Sequence, residues 1–156
     1  MTSGRSEVGS VSPAMAAVND VLESARAMAG AEPSVRAVAL VGSCARRTAG
    51  PESDVDLIIL TTDVARLGRR RDWFTHFGSV ELHRQRRFGD VAERRLRRPD
   101  GVEIEIGLAS PAWAAVGPLD AGTARVVREG FAIVFDPDGL LARLGDAVQE
   151  TTHHDH

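Results

Sequence analysis

Lysine and tyrosine are absent from this 156-residue sequence, cysteine occurs once, and aromatic residues make up only 4%. The single cysteine, Cys44, excludes an intramolecular disulfide and fits a reducing cytoplasm. With so few aromatics, the core must be built from Val, Leu, Ile and Ala. No apolar run approaches the ~20 residues that cross a bilayer as a helix. Strong charge of one sign is also missing. The 19 basic residues, all arginine, stand against 22 Asp and Glu for a net charge of −3, so the overall balance draws the chain to neither nucleic acid nor an anionic membrane. The all-arginine bias reads as GC-rich codon usage. Apolar residues at 43% and charged residues at 26% describe a soluble globular protein, and the length suits one domain.

Residues 1–13 are polar and rich in Gly and Ser, lack the apolar segment of a signal peptide, and are expected to be a disordered tail. Residues 14–29 carry Val18, Val21, Leu22 and Ala25 at helical spacing, with Gly30 as the stop. Residues 35–41 form a β-branched, buried strand. Gly42 and Ser43 break it, and a short helix runs on through Arg47. Residues 49–53 are a loop, 54–61 a strand, and 63–77 a helix. Residues 80–87 alternate weakly as a strand. A hairpin joins 91–98 to 102–108 through the Pro99-Asp100-Gly101 turn. A helical turn at 111–116, a helix at 121–129 ended by Gly130, a short strand at 131–135 and a helix at 138–149 complete the chain. Leu140, Leu141, Leu144 and Val148 share one face of that last helix. The pattern predicts an α/β (α+β) fold with a small mixed sheet flanked by helices, as one domain over residues 14–150. Residues 151–156 read as a second tail, and His153-His154-Asp155-His156 as solvated rather than metal-binding.

The chemistry concentrates in two short runs. Alternate residues of a strand point the same way with Cα atoms ~7 Å apart, so Asp54 and Asp56 place two carboxylates on one face. Like charges that close repel unless a cation lies between them, and magnesium is a hard ion that takes carboxylate oxygens together with water and phosphates. Upstream, a strand ending in Gly42-Ser43 and turning into a helix leaves free N–H groups for a phosphate. Gly42 lets the backbone approach closely, and Ser43 adds a hydroxyl. Arg46 and Arg47, a turn later, bring positive charge. A third carboxylate is needed to complete a metal site or to take a proton. On 102–106, Val102, Ile104 and Ile106 face the core, so Glu103 and Glu105 share the other face. Glu105, deeper in the strand, is preferred, with Glu103 as the alternate or as half of an ion pair.

The run Gly42-Ser43-x-Ala45-Arg46, followed after a spacer by Ser53-Asp54-x-Asp56-Leu57, resembles the signature of the DNA-polymerase-β-like nucleotidyltransferase superfamily. It is most similar to the minimal and the antibiotic nucleotidyltransferases. The resemblance covers residues 35–60 and extends to 102–106. It implies Asp54, Asp56 and Glu105 as catalytic metal ligands for magnesium, two ions in all, with Gly42, Ser43, Arg46 and Ser53 as nucleotide contacts. It implies transfer of NMP, AMP from ATP in the first instance, to a hydroxyl acceptor with release of pyrophosphate. That acceptor is a partner protein, as in minimal nucleotidyltransferases that adenylylate a toxin, or a small molecule such as an aminoglycoside-like antibiotic. A non-catalytic nucleotide-binding or interaction module is the third reading. The sequence departs from the pattern at Arg47, where many relatives carry Gly; an outward-pointing arginine inside the helix would be tolerated.

Other residues invite chemistry less strongly. Cys44 has no visible base partner and reads as packing at a helix start. The arginine runs 69–71, 84–87 and 94–98 read mainly as solvated surface, although Arg95 and Arg97 alternate on a strand next to the acidic one and could reach the active face. His76 and His83 lack metal-ligand spacing. Trp73 and Trp113 read as packing, with Trp113 close enough to line an acceptor pocket. Glu103 and Asp120 are the carboxylates available to attract a cationic acceptor.

Overall fold

The computed structural model of the chain describes residues 12–50 and 53–154, with side chains through 151. Helix α1 spans Pro13–Ala31. It starts inside the expected tail: Ser12 caps it, its hydroxyl accepting from Met15 N at 3.2 Å, and Pro13 takes the first turn, where a missing N–H costs nothing. The rest of that tail, residues 1–11, lies outside the described residues. Gly30 does not stop the helix. Its end is set at Glu32, which is extended (φ −111°, ψ 102°) because Pro33 follows it. Ala14, Ala17, Val21, Ala25 and Met28 line the buried face, and the small alanines let α1 lie close to the sheet.

Strands β1 (Val35–Val41), β2 (Val55–Thr61), β3 (Glu81–Phe88), β4 (Val91–Arg97), β5 (Glu103–Ala109) and β6 (Phe131–Phe135) form one sheet in the order β3-β4-β5-β2-β1-β6. β2 and β5 run parallel and the other neighbours antiparallel, so the sheet is mixed as the sequence predicts. Short helix α2 (Gly42–Arg46) follows β1, and α3 (Val64–Arg69) follows β2. The expected helix over 63–77 is broken here. After Arg69 the chain turns into a separate 3-10 helix, Asp72–Phe77. Arg70 sits extended at the break and pairs with both Glu32 and Asp72, while Trp73 Nε1 donates back to the Leu67 carbonyl at 3.0 Å. The fold-back buries Trp73, Phe74 and Phe77, which one straight helix would splay around its axis.

Helices cover both sheet faces. α1 and the Asp72–Phe77 turn pack on Val38, Leu57, Ile59, Ile104, Ile106 and Leu108. Helices α4 (Ala121–Glu129) and α5 (Leu140–His154) pack on Ala37, Ala39, Leu60 and Ala109 on the other face. A 3-10 turn at Pro111–Ala114 leads into this second layer. α5 runs past the expected boundary, so Thr151 is helical rather than tail, and its hydroxyl donates to the Ala147 carbonyl at 3.0 Å. Of the run expected to be a solvated tail, His153 and His154 are helical, and Asp155 and His156 lie outside the described residues. No helix among the described residues is long and apolar enough to cross a membrane.

Candidate active site

β2 begins at Val55, so Asp54 stands just before the strand and Asp56 within it. Asp56 belongs to the face that carries Leu60 farther along the strand. Leu60 is packed under the second helical layer, whereas Asp54 and Asp56 remain half-buried at the open end. The parallel register pairs Asp56 with Glu105. Oxygen atoms of Asp54, Asp56 and Glu105 all lie within 4.8 Å of one another. The structure therefore brings together three of the carboxylates expected from sequence, with Glu105 rather than Glu103 beside the two aspartates.

Glu103 is engaged elsewhere. It accepts from Arg95 Nη1 at 2.8 Å and from Arg97 Nη2 at 2.9 Å, and pairs with His83. Burial pushes its pKa up, but these three partners outweigh burial and hold it below the usual range. Asp56 is in the opposite condition. Its carboxylate has no ion-pair partner among the described residues. Burial first, then repulsion from Glu105 and Asp54, raises its pKa to about 7. Glu105 is raised too, mainly by burial and with help from Glu93, against the pull of Arg95. A half-buried, oxygen-only donor set that keeps a proton at the expense of its charge suits a hard divalent cation.

Gly42 sits against this cluster. Its φ is +76°, and a Cβ on it would lie 2.5 Å from Asp56 Oδ2. Only glycine serves here, on both conformational and steric grounds. Ser43 follows in α2, whose start has no side-chain cap. Ser53 turns the chain into Asp54, its hydroxyl accepting from Gly50 N at 2.8 Å. Arg46 is not brought to the carboxylates. Its guanidinium donates to the Glu129 carbonyl, and its Nε lies 3.3 Å from Thr48 Oγ1. Cys44 Sγ faces the Asp54 carbonyl at 3.5 Å, and burial, then Asp56 and Asp54, push its thiol pKa up, away from a nucleophilic thiolate.

Arg47 corrects an expectation. It does not continue the helix; it is the C-cap, left-handed at φ 64°, ψ 32°. Glycine suits this position because a side chain there is strained. Arg47→Gly is therefore expected to raise stability by about 1 kcal/mol, measured as a higher urea midpoint at unchanged slope. An unchanged or lower midpoint would mean that the exposed Arg47 side chain makes a contact worth more than the strain.

Three residues on β4 shape the site. Arg95, opposite Glu105, reaches the active face as its alternation suggests and binds Asp54 Oδ2 through Nη1 at 2.7 Å; it also pairs with Glu105. Among the described residues, Arg97 pairs with Glu103 alone. Glu93 is a carboxylate the sequence reading misses. It is 6% exposed, held by Arg86 Nε at 2.7 Å and by Arg84, and lines a small cleft of about 180 Å³ with Asp56 and Glu105. The signal was its position two residues before Arg95, on the same face of the strand. Asp120 caps α4, accepting from Thr123 N at 2.9 Å. Trp113 packs against the second helical layer and lines a separate cavity with Asp120 and Thr123.

No curated protein matches the chain. The family model described as the nucleotidyltransferase domain matches residues 20–105, from within α1 to the third carboxylate. A match over more than half of the chain, ending on the strand that completes the acidic cluster, places this protein in the nucleotidyltransferase domain family and makes it a nucleotidyltransferase.

Proposed function

We propose that the chain transfers AMP from ATP to a hydroxyl on a partner protein, with magnesium held by Asp54, Asp56 and Glu105, two ions in the loaded site. The observation that carries this reading is the meeting of three carboxylates within 4.8 Å beside the close approach of Gly42. Bound magnesium would offset the charge of the phosphates and of the departing pyrophosphate. The Gly42 and Ser43 N–H groups and the Ser43 hydroxyl donate to the triphosphate. Glu105 orients the acceptor hydroxyl and takes its proton. The acceptor oxygen bonds to the α-phosphorus as the bond to the β-phosphate bridge breaks. Glu93, fixed by Arg84 and Arg86, lines the same cleft as Glu105.

A protein acceptor is favoured over a cationic small molecule. The two carboxylates available to attract such a molecule are already in use, Glu103 in ion pairs and Asp120 as a helix cap.

The test is pyrophosphate release from each NTP with magnesium and cell lysate as acceptor source, for wild type and an Asp54→Ala/Asp56→Ala double variant. ATP is expected to support release that the double variant loses, with label recovered in a protein band. Label in a small molecule would overturn the protein acceptor. Retained ATP binding without release would point to a nucleotide-binding module instead.

A further inference from the structure

Arg95 occupies an unusual place for a basic residue. Its guanidinium lies inside the acidic cluster, bound to Asp54 and Glu105, two of the three carboxylates assigned to the metal, and to Glu103, which is not one of them. It is largely buried, with side-chain exposure of 16%, and its Nε has no hydrogen-bond partner. An arginine seated for its own hydrogen bonding would have that donor satisfied. This one is placed by the pull of the surrounding carboxylates. Its charge is also permanent, because a guanidinium does not deprotonate in proteins.

We propose that Arg95 is the resident counter-cation of the acidic site: it competes with a divalent ion for Asp54 and Glu105, and withdraws onto Glu103 when that ion binds. The proposal rests on the reading of the triad as a metal site. Three features support it. Arg95 and a divalent ion would need the same carboxylate oxygens, and two cations so close repel. Glu103 already holds Arg95 Nη1 at 2.8 Å, so withdrawal needs only that the guanidinium release Asp54 and Glu105. Glu103 is also held in place by Arg97 and His83, which makes it a standing receptor for the displaced charge. Asp56, which Arg95 does not touch, stays open as the point of entry.

The test uses the full-length folded chain and Mn2+ without nucleotide, with free Mn2+ read by electron paramagnetic resonance. Arg95→Met is expected to bind Mn2+ at least about tenfold tighter than wild type. Mn2+ should also raise its melting temperature by more than it raises that of wild type. Arg95→Lys, which keeps the charge, should stay within about threefold of wild type. Glu103→Gln, which weakens the receptor, should bind Mn2+ less tightly. Folding is followed by circular dichroism, and Arg95→Gln carries the same expectation if Arg95→Met does not fold. Arg95→Met or Arg95→Gln binding Mn2+ no tighter than wild type overturns the proposal. The underlying metal reading fails separately, if Asp54→Ala/Asp56→Ala leaves Mn2+ uptake unchanged.

Discussion

Asp56→Asn is expected to yield a folded chain that is inactive, yet more stable than wild type at pH 8 without divalent ions. The loss of activity follows from the proposed metal site; removing a group that stabilises transition-state charge costs about 10²–10³-fold in turnover. The gain in stability follows from its raised pKa. In the unfolded chain Asp56 ionises near 3.8, and in the folded chain near 7. Between those values the unfolded chain has released a proton that the folded chain still holds. Stability is therefore full below the unfolded value and falls as pH rises toward 7, after which the loss is complete. At 1.36 kcal/mol per pH unit the window corresponds to on the order of 2 to 4 kcal/mol. The groups facing Asp56 are Asp54 before β2, Glu105 on β5, and Glu93 and Arg95 on β4, with the Gly42 backbone beside it. Asparagine removes the charge and keeps the shape. Urea unfolding in EDTA at pH 5 and pH 8 checks the point. Wild type should lose stability between the two, and Asp56→Asn should lose much less. Equal losses would show that Asp56 is not the group responsible.

The second large effect is expected at Gly42. In Gly42→Ala, the left-handed backbone at φ +76° costs about 1–2 kcal/mol. The new methyl would also press on Asp56 Oδ2, 2.5 Å from the position of Cβ. That atom belongs to a short side chain anchored on a central strand, so it can yield only by moving the triad. Together these effects should destabilise the chain by about 2–4 kcal/mol and cut pyrophosphate release at least about 100-fold. A double-mutant cycle with Asp56→Gly separates the two causes. Removing the Asp56 side chain should recover the steric part and leave the backbone part, for a coupling of at least about 1 kcal/mol. Full additivity would mean that the methyl and the carboxylate do not meet.

These effects differ in how far the sequence foretells them. The Asp54–Asp56 pair and the Gly-Ser break are legible because each depends on local rules: alternation along one strand, and a turn that ends another. The choice between Glu105 and Glu103 is not local. Both face the same way on β5, and only the register shows that Glu105 is the one beside Asp56. Arg95 is half legible: its alternation gives the face, but not the seat among carboxylates. Glu93 is hidden because Glu-Arg-Arg-Leu-Arg has the composition of a solvated surface, and its burial comes from β3 folding Arg84 and Arg86 over it. Arg47 is illegible for a different reason. A single left-handed residue leaves no periodicity behind, and the missing glycine is the only trace. At the C-terminus the apolar stripe ends at Val148, so the last turns of α5 carry no signal of their own.

The parallel pairing of β2 with β5 has a consequence for folding. These strands are neighbours in space but are separated in the chain by α3, a 3-10 turn and the β3–β4 hairpin. An ion gripped from both would act as a clasp across this excursion of the chain. It could not be held by any partly assembled form in which β5 has yet to dock. Ion uptake would then report completion of the sheet, and a saturating ion at about 100 times its dissociation constant would add about 2.7 kcal/mol to the assembled state alone.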